Sequence, residues 1–112
     1  MKIYHNPRCR KSREGLEILQ KSGQPFEIVE YLNTPPTESE LKDIISKLGV
    51  APIELIRKNE TEWKENYKGK ELSDDEMIKA MVRYPKLIER PIVIKGTKAV
   101  VGRPPENIKK LL

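Results

Sequence analysis

The sequence holds one cysteine, one histidine, one tryptophan and one phenylalanine among 112 residues. A single thiol closes no disulfide within the chain, and one Cys with one His cannot complete a closed zinc site, so no metal centre is expected. One Phe, one Trp and four Tyr leave little surface for base stacking. The net charge of +5 comes from 22 basic and 17 acidic residues that interleave along the chain, as on a solvated surface. Nucleic-acid binding is therefore not expected. No apolar run approaches the roughly 20 residues that a membrane helix needs, and no charged-then-apolar leader precedes the first strand-like segment. Length bounds the chain to one domain with a single core. The expectation is a cytoplasmic monomer with no membrane association.

What is present concentrates in Ile3-Tyr4-His5-Asn6-Pro7-Arg8-Cys9-Arg10-Lys11-Ser12-Arg13, which carries both the only cysteine and the only histidine. The apolar residues before Cys9 read as a short strand, and Leu16, Ile18 and Leu19 after it as a helix, with Asn6-Pro7 as the break between them. Cys9 is thus expected at a helix N-terminus, where unpaired N–H groups and the helix dipole favour negative charge. A lone cysteine is ordinarily an inert, half-buried hydrophobe. This one is flanked by Arg8, Arg10, Lys11 and Arg13, and cationic neighbours are expected to lower its pKa from about 8.5. The pattern suits a nucleophile or an anion-binding site. His5 alone suggests only a strand-end ring with its hydrogen bonds met.

Strand one is expected over about residues 2–5 and helix one over about 11–22, ended by Gly23, with Lys21 in the last turn. Strand two follows over about 26–31, and a helix of this length between two strands implies a parallel βαβ unit. Asn33-Thr34-Pro35-Pro36 breaks the pattern. Thr37-Glu38-Ser39-Glu40 is a capping box for a helix carrying Leu41, Ile44, Ile45 and Leu48, closed by Gly49. A short turn of helix from Pro52 carries Ile53, Leu55 and Ile56. Ser73-Asp74-Asp75-Glu76 is a second capping box, before Met77, Ile78, Met81 and Val82, and Tyr84-Pro85 stops that helix. The polar stretch 58–72 reads as weak helix and loop. From Arg90 the period changes to that of strands: Pro91–Ile94 and Ala99–Val101 flank a turn in which Gly96-Thr97 suits type II′. A last helix is expected from Pro104-Pro105, with Ile108, Leu111 and Leu112 on one face.

The order βαβ, helical insert, ββα makes a thioredoxin-like α/β fold the strong candidate. Its mixed four-stranded sheet would form a core over residues 1–33 and 88–112, with a helical insertion over 34–87. The hairpin also allows a count. If Gly96 and Thr97 form the turn, Lys95 faces Lys98, Val93 faces Val100, and Arg90 falls opposite Arg103. Like charges across a strand pair are destabilising. Either the two guanidinium groups share an oxyanion, for which Arg forks are suited, or both point into water, where repulsion is screened.

Four motifs in order then resemble one family. His5-Asn6-Pro7-x-Cys9-x-x-Ser12-Arg13, Arg57-Lys58-Asn59, Arg90-Pro91-Ile92-Val93 and Gly102-Arg103-Pro104 are similar to those of the ArsC-type, glutaredoxin-linked arsenate reductases, and the match spans nearly the whole chain. The resemblance implies that Cys9 attacks arsenate to give a thioarsenate adduct, that glutathione is the co-substrate, and that glutaredoxin completes the release of arsenite. It places the anion on Arg57, Arg90 and Arg103, gives the Ser12 hydroxyl and His5 supporting roles at the thiolate, and makes Arg90-Pro91 a cis peptide. It implies no bound cofactor. Arg10-Lys11 stand where plasmid-type members carry small uncharged residues, so a more electropositive turn is expected. Two other readings are a regulator resembling Spx, which binds RNA polymerase, and a related glutathione-linked thiol oxidoreductase acting on another substrate. Spx-type proteins commonly switch through Cys-x-x-Cys, and here Ser12 takes the second place.

Overall fold

The computed structural model describes all 112 residues, and the chain divides into two compact units, Met1–Thr34 with Arg90–Leu112, and Pro35–Glu89. The first unit is built on a mixed four-stranded sheet. β1 (Lys2–Tyr4) pairs parallel with β2 (Glu27–Val29) and antiparallel with β3 (Ile92–Lys95), which pairs antiparallel with β4 (Lys98–Val101). The strand order is β2-β1-β3-β4. With α1 (Arg10–Ser22) crossing from β1 to β2, this is the thioredoxin-like arrangement. α1 ends on Gly23 at φ 72°, a left-handed cap in which glycine carries no Cβ penalty.

The hairpin register matches the count: Val93 faces Val100 and Lys95 faces Lys98. Gly96 has φ 61° and no non-glycine residue has positive φ, so Thr97 does not; this leaves type II′ rather than I′. Pairing continues one step past the ladder, where the Gly102 N–H donates to the Pro91 carbonyl at 2.8 Å. Arg90 and Arg103 follow at the open end. Arg90-Pro91 is cis, and so is Arg103-Pro104, which sequence reading did not anticipate.

Two expectations need correction. β2 is three residues long, because the chain turns at Glu30, whose carbonyl accepts from the N–H groups of Asn33 and Thr34 at 3.0 Å each. The last helix, Pro105–Leu111, is 3₁₀ rather than α. At three residues per turn Pro105, Ile108 and Leu111 fall on one buried face. Leu112 drops off that face and is 42 % exposed.

The core of this unit gathers Ile3, Leu19, Val93, Ile108 and Leu111, with Met1, Leu16, Ile18, Phe26 and Val100 packed around it. Burying one such aliphatic side chain contributes about 1.5–3 kcal/mol. Pro91 lies where α1, the hairpin and the last helix meet. A Cβ at Gly15 would stand 2.8 Å from both Pro91 Cγ and Ile108 Cδ1, and one at Gly102 would stand 2.9 Å from the same two atoms. Neither position has room for a side chain.

The second unit is helical: α2 (Glu38–Leu48), a 3₁₀ turn Pro52–Leu55, α3 (Thr61–Asn66), α4 (Asp74–Arg83) and a 3₁₀ turn Pro85–Leu87. Both capping boxes form in full, Thr37 with Glu40 and Ser73 with Glu76. Gly49 closes α2 in the left-handed conformation. Leu41, Ile44 and Ile45 of α2 and Ile78 and Met81 of α4 are buried, as their helical spacing requires. The polar stretch contains α3, whose Trp63 is buried with its ring 5.5 Å from that of Tyr67, which in turn meets Tyr84 edge-on at 6.2 Å.

Gly15→Ala is expected to cost about 1–3 kcal/mol through overpacking against Pro91 and Ile108, read as a lower denaturation midpoint in urea. A midpoint equal to wild type would show that this contact relaxes freely.

Candidate active site

The turn that presents Cys9 is held by Asn6. Its carbonyl accepts from the Cys9 N–H at 3.0 Å and its side-chain Oδ1 accepts from the Arg8 N–H at 3.0 Å. Asn6 is 7 % exposed. Cys9 is the N-cap of α1, with extended backbone, and its carbonyl accepts the first helical bond from the Arg13 N–H at 3.0 Å. The sulfur makes no short cap hydrogen bond of the kind a Ser or Asp makes. The N–H groups of Ser12 and Lys11 nevertheless face it.

Two arginines from the hairpin end reach the same sulfur. Arg103 Nη1 lies 3.9 Å from Cys9 Sγ and 3.3 Å from the Arg90 carbonyl. The guanidinium of Arg90 donates to the sulfur as well. Arg103 is itself steadied from the last helix, where Asn107 Nδ2 donates to the Val101 and Arg103 carbonyls at 3.3 Å each. The pKa of the half-buried Cys9 is lowered. Burial, the largest single influence, pushes it up; the Ser12 N–H, the hydrogen bond and charge of Arg90, and the Lys11 N–H together outweigh that.

The local basic cluster does not play the part expected of it. Arg10 Nε pairs with Glu14 at 3.2 Å and Lys11 Nζ with the same carboxylate at 3.5 Å, both on the solvent side of α1. Arg13 Nη1 donates to the Pro7 carbonyl at 3.1 Å. Glu14, one helical turn on, thus holds Arg10 and Lys11 away from the sulfur, and the acting cation is Arg90, 81 positions along the chain.

Ser12 is fully buried and works through two different groups. Its main-chain N–H serves the sulfur. Its hydroxyl accepts from the Asn6 N–H at 2.9 Å and lies 2.6 Å from His5 Nδ1. The hydroxyl shares one hydrogen bond with Nδ1, donating to it in the tautomer of the neutral imidazole that carries no proton there. Burial, opposed by Glu30, holds the His5 pKa below its ordinary value, in keeping with that neutral ring. His5 therefore braces the turn through Ser12.

Arg57 belongs to the second unit. There its Nε lies 3.5 Å from Glu60 and its Nη1 3.8 Å from Glu89, and its main-chain N–H donates to the Leu87 carbonyl at 2.8 Å. Of the residues singled out in the sequence, the first unit brings His5, Cys9, Ser12, Arg90 and Arg103 together. Asn6 and Asn107 are additions. The Asn-Pro break hinted at Asn6 through its turn preference, whereas nothing local marked Asn107. No group of three or more His, Cys, Asp or Glu side chains could hold a metal ion, and no helix is long and apolar enough to cross a membrane.

A cysteine at the start of the first helix of a thioredoxin-like sheet, faced by two arginines from the hairpin end, defines a thiol-bearing member of that fold. The ArsC family profile matches residues 4–111. The chain belongs to the ArsC family. It is 46 % identical to a protein of Neisseria meningitidis serogroup A named arsenate reductase, over 100 % of this chain and 97 % of that one. Identity is also 46 % to Escherichia coli YfgD, named only as uncharacterized, over 100 % and 96 %. It is 39 % to the E. coli protein named arsenate reductase, over 98 % of this chain and 79 % of that one. The solved structure of arsenate reductase from Vibrio cholerae superposes with a TM-score of 0.93 at 43 % identity, covering 100 % of this chain and 98 % of that one.

Ultraviolet titration of the thiolate is expected to give a midpoint below the free-cysteine value of about 8.5. Because the anionic form is favoured, the thiolate fraction at a given pH exceeds that of a free cysteine, and it is lost as pH falls through the lowered midpoint. Arg90→Gln removes a hydrogen bond and a charge and should move the midpoint up. An unmoved midpoint would assign the whole effect to the helix N-terminus.

Proposed function

We propose that this protein is an oxidoreductase that reduces arsenate to arsenite, with Cys9 as nucleophile and glutathione and glutaredoxin as reductants. The observation that carries this reading is the meeting of Cys9 Sγ with the guanidinium groups of Arg90 and Arg103 at a helix N-terminus. Names of relatives such as those from Neisseria meningitidis and E. coli support the substrate. The paired arginines would share the tetrahedral oxyanion and offset one another's repulsion through it. Arg57 is proposed as the third anion ligand on the strength of the family motif, with Glu60 and Glu89 as the carboxylates it would have to leave.

In the proposed reaction the Cys9 thiolate attacks arsenic, and one arsenate oxygen takes up protons and departs as water, leaving a sulfur–arsenic(V) bond. Glutathione adds to arsenic through its sulfur, and a second oxygen leaves as water. The glutaredoxin thiolate then attacks the glutathione sulfur. The electron pair of the sulfur–arsenic bond stays on arsenic, which falls from the +5 to the +3 state, while the two thiols leave as one mixed disulfide. Water cleaves the remaining Cys9–arsenic bond, releasing arsenite and restoring the thiolate. His5 and Ser12 keep the turn in place and supply no proton to the arsenic. The reaction needs no resident cofactor or metal, no nucleic acid and no second copy of the chain, and its reductants are those of a reducing cytoplasm.

The test is arsenite formation with purified protein, glutathione and glutaredoxin, against mixtures lacking either thiol. Cys9→Ser is expected to abolish turnover; equal rates in mutant and wild type would sink the proposal. Arg90→Ala and Arg103→Ala should each lower kcat/KM for arsenate roughly 10- to 100-fold, the worth of a charge-assisted hydrogen bond. Arsenite formation that ignores both substitutions would place the anion elsewhere.

A further inference from the structure

A cleft of about 370 Å³ opens beside the Cys9 turn, lined by His5, Asn6, Arg8, Glu30, Leu32 and Asn33 among others. Its residues follow the carboxyl ends of the two parallel strands: 5–8 continue from β1 and 30–33 from β2. Ligands of α/β proteins collect outside the carboxyl ends of such strands. The floor is preformed, with His5 and Asn6 buried, and the far wall is fixed by the hydrogen-bonded turn at Glu30.

The rim carries opposite charges, Arg8 on the Cys9 side and Glu30 on the other. Both are exposed and neither stands in an ion pair within the chain. Leu32, 37 % exposed, supplies an apolar surface, and Asn6 and Asn33 supply amides. A ligand that fits carries an ammonium at one end, a carboxylate at the other, and peptide groups between.

We propose that this cleft is the glutathione subsite: Glu30 receives the γ-glutamyl ammonium and Arg8 the glycyl carboxylate. The assignment rests on the reaction proposed above, in which a small peptide thiol must reach arsenic held on Cys9. The sheet order gives it a reason. β1 lies between β2 and β3, so the turn after β1 has two flanks. Arg90 and Arg103 approach the sulfur from the β3 flank, and the cleft lies on the β2 flank. Oxyanion and thiol can then be present together, neither displacing the other. Arg8 directly precedes Cys9, so a carboxylate paired with it is anchored one residue along the chain from the reacting cysteine.

The experiment titrates ¹⁵N-labelled protein with S-methylglutathione, which binds without reacting. Amide shifts are expected at residues 5–8 and 30–33. Glu30→Lys and Arg8→Glu should each weaken binding about five- to tenfold, since each exchanges an exposed ion pair for a like-charge contact. N-acetyl-S-methyl-Cys-Gly, which carries no ammonium, should bind more weakly to wild type and show little further loss in Glu30→Lys. In turnover assays the same two variants should raise KM for glutathione and leave KM for arsenate unchanged. Shifts centred on Arg90 and Arg103, no saturable binding at millimolar peptide, or affinities that ignore both charge reversals would overturn the subsite. The shift map needs no turnover, so a protein that binds the peptide here yet makes no arsenite would overturn the reaction and leave the cleft assignment standing.

Discussion

The ring of Pro91 fills a space that Gly15 of α1 and Gly102 at the end of β4 leave without side chains, and Ile108 of the last helix closes it. Three segments distant in sequence are fixed against one another at that point. Each carries a residue of the candidate site nearby. Arg90 directly precedes Pro91, Arg103 directly follows Gly102, and Cys9 begins the helix to which Gly15 belongs. Adding a methyl group at either glycine would push apart the elements from which sulfur and guanidinium groups extend. Packing and chemistry thus share the same segments: those that meet at Pro91 also carry Arg103 Nη1 and the sulfur, 3.9 Å apart.

The electrostatics at the sulfur follow from where the chain is fixed rather than from which charges are near in sequence. Arg10 and Lys11 directly follow it in sequence, yet helical geometry directs both to Glu14. What favours the thiolate is the main chain of the first helical turn together with Arg90. Main-chain N–H groups held by the helix need no reorganisation when charge appears, which is the property that makes such donors effective. The His5–Ser12–Asn6 hydrogen bonds keep them aimed by tying the end of β1 to the first turn of α1. A neutral His5 suits that role, since a second cation is then not required inside the turn.

Features with local causes were legible in the sequence. Thr37-x-x-Glu40 and Ser73-x-x-Glu76 each contain both partners of their capping box, and Gly23, Gly49 and Gly96 take the positive φ that their settings demand. The hairpin count succeeded because a two-residue turn fixes the register of everything after it, up to the Arg90 and Arg103 pair. It could set those two side by side but could not say what they face, because that depends on Pro91 packing against α1. The last helix was misjudged in kind, since a seven-residue stretch begun by two prolines and buried at 105, 108 and 111 follows a period of three. Apolar character alone had assigned Leu112 to the same face. Asn6 and Asn107 act by side-chain bonds to main-chain groups, and such bonds leave little trace in composition or spacing. Arg57 shows the mixed case: Glu60 is visible at helical spacing, whereas Glu89 comes to it only through the fold.

The serine at the third position after Cys9 bears on where the electrons must come from. In a Cys-x-x-Cys turn the second sulfur resolves whatever forms on the first. Here Ser12 is fully buried with its hydroxyl turned inward to His5 and Asn6, and the chain holds no other cysteine. An adduct on Cys9 therefore has no internal thiol to relieve it. The proposed two-electron reduction at this sulfur would therefore draw both electrons from thiols outside the chain, one after another or from two molecules. Access to the sulfur from more than one side then becomes a requirement of the chemistry. A turn at the central strand, with arginines on one flank and an open polar cleft on the other, meets it.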